Sequence, residues 1–488
     1  MEDHGRMVNV RVVERDQLWL MPPSLSDWLP SDHLAWFVLD VIAELDLSSF
    51  YRSLRADGRG GASYNPELML GVLLYAYCVG ERSSRRIEGR LCDDVAFRVI
   101  AANQQPDHAT LARFRRRHQD AIGEVFSQVL GLCVAEGLVE AGVVAIDGTK
   151  IEADASVWSS RTRRQLADEI LEEAETVDAA EDDRFGDRRG DELPERWTDR
   201  RDRGARIREA LRQLDAGGPS DAESYQAARK AREAELGHKL PGRTADPDAK
   251  WGSRARTRQI NVTDPDSRMI KDGRRFVQGY NAQAAVTEDH MIVAAEITNN
   301  ARDSVVFKKV VSAVRENLAT AAASKPETYV ADAGYWDSEN ATLDVDAEIL
   351  IAPMPATTGI TDPDDPRIAQ RNTVVERLDR GEITVRHAAD QMGVSATWTR
   401  KLLKRHRDGR SDPAQLRNEM LERLASKTGG AAYAKRKTTV EPVFGNLKAN
   451  LGFRRFSRRG LDATKSEWRL ICTIHNLLKL HRHQLAAG

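Results

Sequence analysis

The chain is poor in the features that mark several protein classes. No apolar run approaches the roughly 20 residues of a membrane helix, so a membrane role is excluded. The start, Met1-Glu-Asp-His-Gly-Arg6, is charged and has no apolar signal region, so the expected location is the cytoplasm, with access to the nucleoid. Four cysteines are present: Cys78, Cys92, Cys133 and Cys472. None has CxxC or zinc spacing and each lies in an apolar helical context, so they read as buried free thiols in a reducing compartment. His108, His290 and His475 lack metal-ligand spacing and read as structural. A positive excess is missing too: 73 Lys and Arg against 75 Asp and Glu leave a net charge of −2. That total argues against a nucleic-acid binder, but the distribution reverses the argument. Acidic residues crowd between Ala167 and Glu195, and basic ones dominate from Arg400 to Arg459, so a basic face is still expected.

What is present divides the 488 residues into two regions. Residues 1–140 read as an all-helical domain. Pro66 opens a strongly apolar helix, and Asp107 and Thr110 are caps for the basic helix Leu111–His118. Arg113 and Arg116 of that helix are candidate DNA contacts, although the same pattern suits the solvated face of a core helix. Residues 141–488 alternate β-prone and helical segments. Arg275–Val286 and Met291–Thr298 form a hairpin around Thr287–His290, Val305–Leu318 is an amphipathic helix, and Glu327–Ala331 and Glu348–Ala352 are further strands. This order predicts a mixed α/β fold with helices on the faces of a sheet.

Two insertions interrupt that pattern. Residues 159–258 are charge-dense and poor in β-branched residues, with helical stretches at Leu166–Thr176, Ala205–Leu214 and Tyr225–Leu236. They read as a helical hairpin, either an arm for dimerisation or DNA ends, or a solvated spacer. Residues 380–410 read as a helix-turn-helix or a plain helical hairpin. Gly393 makes the turn, Ser395 or Thr397 caps the second helix, and Thr397, Trp398, Arg400 and Lys401 face a groove. Thr399 stands where an apolar residue is usual.

The chemistry concentrates at three carboxylates. Glu441 lies in the basic segment Tyr433-Ala-Lys-Arg-Lys-Thr-Thr-Val-Glu441-Pro-Val-Phe-Gly-Asn-Leu-Lys448, with Lys448 two helical turns on and on the same face. Val143–Ile146 is a short strand ending at Asp147-Gly148, and Glu327–Ala331 another ending at Asp332-Ala-Gly334. Two aspartates on strand ends and a glutamate on a helix suit two Mg²⁺ ions, one activating water or a 3′-hydroxyl and one stabilising the leaving oxygen. Glu152 and Asp154 are rivals placed past the strand end, and Asp337 is a decoy. Asn281 shares a strand face with Gly279 and Gln283 and either supports the site or bonds a neighbour. Trp336 reads as core, with base stacking as the other role.

These residues resemble a family: the bacterial insertion-sequence DDE transposases, the insertion-sequence eleven-eighty-two group in particular. The resemblance runs through Leu20-Met-Pro-Pro-Ser-Leu-Ser-Asp-Trp-Leu-Pro-Ser-Asp-His33, Pro106-Asp-His-Ala-Thr-Leu-Ala-Arg-Phe-Arg115, Ala145-Ile-Asp-Gly-Thr-Lys-Ile151, Gly279-Tyr-Asn-Ala-Gln-Ala284, Ala331-Asp-Ala-Gly-Tyr335 and Val440-Glu-Pro-Val-Phe-Gly445. It implies an RNase H-like catalytic core and a triad of Asp147, Asp332 and Glu441 binding Mg²⁺ or Mn²⁺. It also implies cleavage and strand transfer of element ends, and at least a homodimer on DNA. A related signature spaces Tyr, Arg, Glu and Lys so that Glu441 and Lys448 fit, but Lys437 occupies the Arg position and Arg436 is one residue out of step. Either Arg436 or Lys437 is then the phosphate contact. Two other readings are a DNA-binding regulator without catalysis and a nuclease without strand transfer.

Overall fold

The computed structural model describes residues 24–52, 63–162, 165–166, 212, 259–273, 275–354, 365–409 and 411–487. The chain begins with helices α1 (Leu34–Glu44), α2 (Ser48–Tyr51), α3 (Pro66–Cys78), α4 (Ser84–Asp93), α5 (Val95–Ile100), α6 (His108–Arg117) and α7 (Gln119–Ala135). Local chemistry sets several starts. Asn65 accepts from Glu67 N at 2.8 Å with Pro66 in the first turn of α3, and Asp107 accepts from Thr110 N at 2.6 Å at the start of α6. α3 is buried on almost every side, so it is the central helix of this layer.

One sheet organises the rest. Its strands are β1 (Val143–Glu152), β4 (Arg268–Asp272), β5 (Arg275–Thr287), β6 (Ile292–Thr298), β7 (Thr328–Ala331) and β8 (Glu348–Ile351). β1 is central, antiparallel to β5 on one side and parallel to β7 on the other. β5 is long enough to pair with both β4 and β6, and β8 lies parallel beyond β7. His290, at φ 59°, makes the turn between β5 and β6. β1 runs further than expected: past Asp147 it stays paired with β5 as far as Glu152↔Gly279. Asp147 therefore sits inside a strand, and Glu152 belongs to that strand rather than lying beyond it. The extension is polar because that stretch is only partly covered.

Strand alternation splits the core in two. Val144 and Ile146 face helix α8 (Phe307–Thr320), whose Phe307, Val310, Val311 and Val314 are buried there. Ala145, Ala282, Ala284 and Val330 face the opposite layer. That layer holds α1–α7 and the late helices α14 (Lys427–Gly445) and α15 (Leu461–Ala487), so the N-terminal helices share one continuous core with the sheet. Short helix α9 (Ser338–Ala341) lies between β7 and β8.

Before α14 come α10 (Pro366–Asp379), α11 (Val385–Met392), α12 (Ala396–Arg407) and α13 (Pro413–Ala425). The first three pack around Val374, Leu378 and Ala388. β2 (Ser160–Thr162) and β3 (Gln259–Asn261) pair antiparallel, setting Thr162 opposite Gln259. The charged insertion thus leaves and rejoins the core at one point. The helices expected in 166–176, 205–214 and 225–236 lie outside the described residues, apart from 166 and 212.

Cys78, Cys133 and Cys472 are buried, but Cys92 is exposed, because its position on the amphipathic α4 faces away from the buried Ile87 and Leu91. His475 is buried, which lowers its pKa to about 4, and its Nε2 lies 2.9 Å from His290 O. His290 in turn reaches Thr439 O on α14 at 3.0 Å. No helix among the described residues is long and apolar enough to cross a membrane.

Candidate active site

The parallel pairing of β1 with β7 ends at Ile146↔Ala331. The next residue on each strand is an aspartate, so Asp147 and Asp332 emerge side by side on the face that packs α14. Asp332 begins a 3-10 turn, Ala333–Tyr335, and its Oδ1 accepts from Gly334 N at 2.9 Å. Asp147 Oδ1 accepts from Gly148 N at 2.7 Å, and Oδ2 from Arg436 Nη1 at 3.0 Å. Burial pushes the Asp147 carboxyl up to about 6; Gly148 N–H and Arg436 oppose this, and the charges of Asp332 and Asp303 add to it.

Asp303 was not legible as a site residue. It starts the 3-10 turn Asp303–Val305 that leads into α8. Its Oδ1 collects Asn281 Nδ2 at 2.6 Å, Gln283 Nε2 at 2.9 Å and Lys150 Nζ at 3.2 Å. Asn281 and Gln283 are fully buried, and Tyr335 donates its hydroxyl to Gln283 Oε1. The glycines after the two aspartates now have a reason. A Cβ at Gly148 would run into Gln283 Nε2 and lie 3.0 Å from Asp303 Oδ1; one at Gly334 would lie 3.1 Å from Asp303 Oδ2. The paired Asp-Gly and Asp-Ala-Gly motifs were the available signal.

Helix α14 supplies the cationic wall. Val440, Val443 and Leu447 are buried against the core, which sets the rotation of the helix. Arg436 is in phase with them and reaches Asp147, whereas Lys437 is exposed. Glu441 lies roughly 140° around the helix from Arg436 at about 100° per residue. It is exposed and makes no hydrogen bond or ion pair among the described residues. A π-helical turn, Asn446–Asn450, follows, and from it Lys448 reaches Lys150 O at 2.9 Å. Burial lowers the Lys448 pKa.

The remaining candidates sort by burial and partner. Asp337 caps α9, while Glu152 and Asp154 pair with Arg455 and Arg459. Trp336 packs against both core layers. On α6, Arg113 and Arg116 are exposed and Arg115 is buried, donating to Arg82 O at 3.0 Å. Arg116, Arg458 and Arg459 line one cleft, which continues through Arg459 into a second holding Arg455, Arg275 and the exposed rings of Trp158 and Phe276.

In the inserted helices, Gly393 at φ 63° ends α11 and Ser395 caps α12, accepting from Trp398 N. Thr399 is fully buried, its hydroxyl satisfied by Ser395 O at 3.1 Å. Thr397, Arg400, Lys401 and Lys404 form the exposed stripe of α12. Trp398 is turned instead beneath Arg371, whose guanidinium lies 4.9 Å from its ring.

A divalent cation suits the aspartate pair by donor chemistry. Hard carboxylate oxygens are the preferred ligands, and two neighbouring aspartates with a third, Asp303, close enough to raise the Asp147 pKa leave negative charge for a cation to balance. Among the described residues, however, no three of His, Cys, Asp and Glu come together as a metal-binding group. Asp147 and Asp332 are brought together and Glu441 stands apart, because α14 turns Arg436 toward the pair.

An aspartate pair on neighbouring central strands, walled by a basic helix that carries a glutamate, has the residue types of a DDE-type phosphoryl-transfer enzyme. Comparison with family models agrees. Residues 23–117 match the transposase domain model and residues 243–477 the transposase DDE domain model. The DDE match includes Asp332 and Glu441 and begins after Asp147, which the sheet register places beside Asp332. The chain belongs to the insertion-sequence DDE transposases, metal-dependent enzymes that cleave DNA. No curated protein and no solved structure matches it.

Proposed function

We propose that this transposase cleaves the 3′ ends of an insertion element and joins the freed hydroxyls to target DNA. The observation that carries the reading is the register placing Asp147 beside Asp332 under Arg436. Asp147 and Asp332 hold Mg²⁺ or Mn²⁺. Glu441 is the third carboxylate of the set, assigned through its motif and its place on the same helix as Arg436. A divalent cation held by these carboxylates would activate a water or 3′-hydroxyl as nucleophile and stabilise the leaving oxygen. Arg436 balances the charge of Asp147 and is the nearest cation for a phosphate entering the site; Lys437 and Lys448 extend that contact along the helix. Membership of the eleven-eighty-two group is part of the proposal.

The strand order supports an RNase H-like core: three antiparallel strands, β6, β5 and β1, followed by the parallel β7 and β8. DNA follows the arginine cleft from Arg116 of α6 to the sheet, with the exposed Arg113 as a further contact on that helix. The α11–α12 unit is a helix-turn-helix, and Arg400 and Lys401 on its exposed stripe contact the element ends. Reaction at two ends calls for at least a homodimer on DNA, working at the nucleoid.

The test is a joining assay with pre-cleaved terminal-repeat duplexes and a plasmid target in Mg²⁺. The wild type should give joined product, and Asp332→Asn should give none while still binding the duplex. Cutting without joining by the wild type would refute strand transfer, and wild-type joining by Asp332→Asn would refute the site.

A further inference from the structure

The geometry points to Asp303 as a positioning residue for the two catalytic aspartates, an inference that rests on Asp147 and Asp332 being the metal-holding pair. Asp303 approaches from the α8 side of the sheet, opposite the face that Asp147 presents to α14. Its Oδ1 is held by three donors on two strands: Lys150 from β1, and Asn281 and Gln283 from β5. Its Oδ2 has no donor among the described residues. This oxygen flanks Gly334 at 3.1 Å from where a Cβ would stand, and Asp332 Oδ1 lies 3.0 Å from the same point.

The carboxylate is thus wedged between the turn after β7 and the middle of β1. Gly148 and Gly334 leave the space it fills, and any side chain at either position would displace it. Asn340 binds the two turns together, donating to Ser304 O at 2.8 Å and Tyr335 O at 2.9 Å. Oδ1 acts as the anchor. Oδ2 lies beside the same glycine as Asp332 Oδ1 and brings no donor there, so among the described residues that oxygen accepts only from Gly334 N and keeps its other lone pair for a cation. An amide in place of Oδ2 would bring an N–H to that side of the turn. Supporting groups of this kind set ligand orientation, and their loss typically weakens metal binding 10- to 100-fold.

The experiment is a calorimetric titration of the full chain with Mn²⁺ alone, without DNA, alongside thermal unfolding in chelator. Asp303→Asn should weaken Mn²⁺ binding about 10- to 100-fold with an unchanged unfolding midpoint. Lys150→Met gives an independent sign. Removing a positive charge should tighten cation binding by charge alone, whereas loosening the anchor of Asp303 should weaken it. Weaker binding in both variants supports the inference. Wild-type Mn²⁺ affinity in folded Asp303→Asn, or tighter binding in Lys150→Met, overturns it. Asp147→Asn separates the two levels. If it abolishes Mn²⁺ binding while the other two variants retain it, only the positioning role fails; if it too binds like the wild type, the metal assignment itself is wrong.

Discussion

Asp147→Asn should stabilise the metal-free protein relative to wild type progressively as the pH rises from 3 to 7, while abolishing cleavage. The carboxyl moves from 3.8 to about 6 on folding, with burial as the first cause. At about 1.4 kcal/mol per pH unit, ionised Asp147 costs the native state about 3 kcal/mol at pH 7. Asparagine keeps the volume and carries no charge, but its single oxygen can accept from Gly148 N or from Arg436 Nη1 and not from both, a loss that is the same at every pH. The sign follows from a native pKa above the unfolded one. Below pH 3.8 both states are protonated and the cost is absent; it grows between pH 3.8 and about 6 and is complete above that. Relative to its value at pH 3, the stability of the variant against wild type should therefore rise by about 1.5 kcal/mol at pH 5 and about 3 kcal/mol at pH 7. Urea unfolding in chelator at these three values measures it. Adding Mg²⁺ should reverse the order, since only the wild type gains binding energy in its native state. A difference between variant and wild type that does not grow in the variant's favour from pH 3 to pH 7 would refute the reasoning.

Three further outcomes are expected. Gly148→Ala forces a Cβ into Gln283 in a filled polar network, so thermal unfolding should report a loss of about 1–3 kcal/mol; an unchanged midpoint would show that the network can move aside. Replacing residues 163–258 by Asn-Gly should leave a soluble, cooperatively unfolding core, because Thr162 and Gln259 already face each other as a hairpin would; loss of the circular dichroism spectrum would show that the insertion carries part of the fold. Lys448→Ala should weaken binding to cognate and unrelated DNA alike and lower the salt slope by about one, whereas Arg400→Ala should act on cognate ends; a purely cognate loss with Lys448→Ala would remove it from the phosphate contacts.

Local chemistry was readable in the chain itself. Pro66 after a capping Asn65, Asp107 before a basic helix, and Gly393 between two amphipathic stretches each act within a few residues, so sequence alone determines those helix ends. The hairpin of β5 and β6 and the strands before Asp332 were legible for the same reason, through short apolar runs bounded by turns. The two aspartates could be singled out because each follows such a run and is itself followed closely by glycine.

Long-range pairing decided the rest. β1 continues beyond Asp147 because β5 is there to pair with it, and the stretch Thr149–Glu152 has Ile151 as its one apolar residue, too little to mark a strand. Asp303 joins the site only because the turn before α8 folds against the turn after β7, which no spacing along the chain encodes. Arg436 and Lys437 are neighbours in sequence, but a helix separates them by about 100°. Burial of Val440, Val443 and Leu447 fixes which of them meets Asp147. The same rotation leaves Glu441 in solvent: sequence determines its spacing from Lys448, while the packing of α14 on the sheet determines its distance from the aspartates.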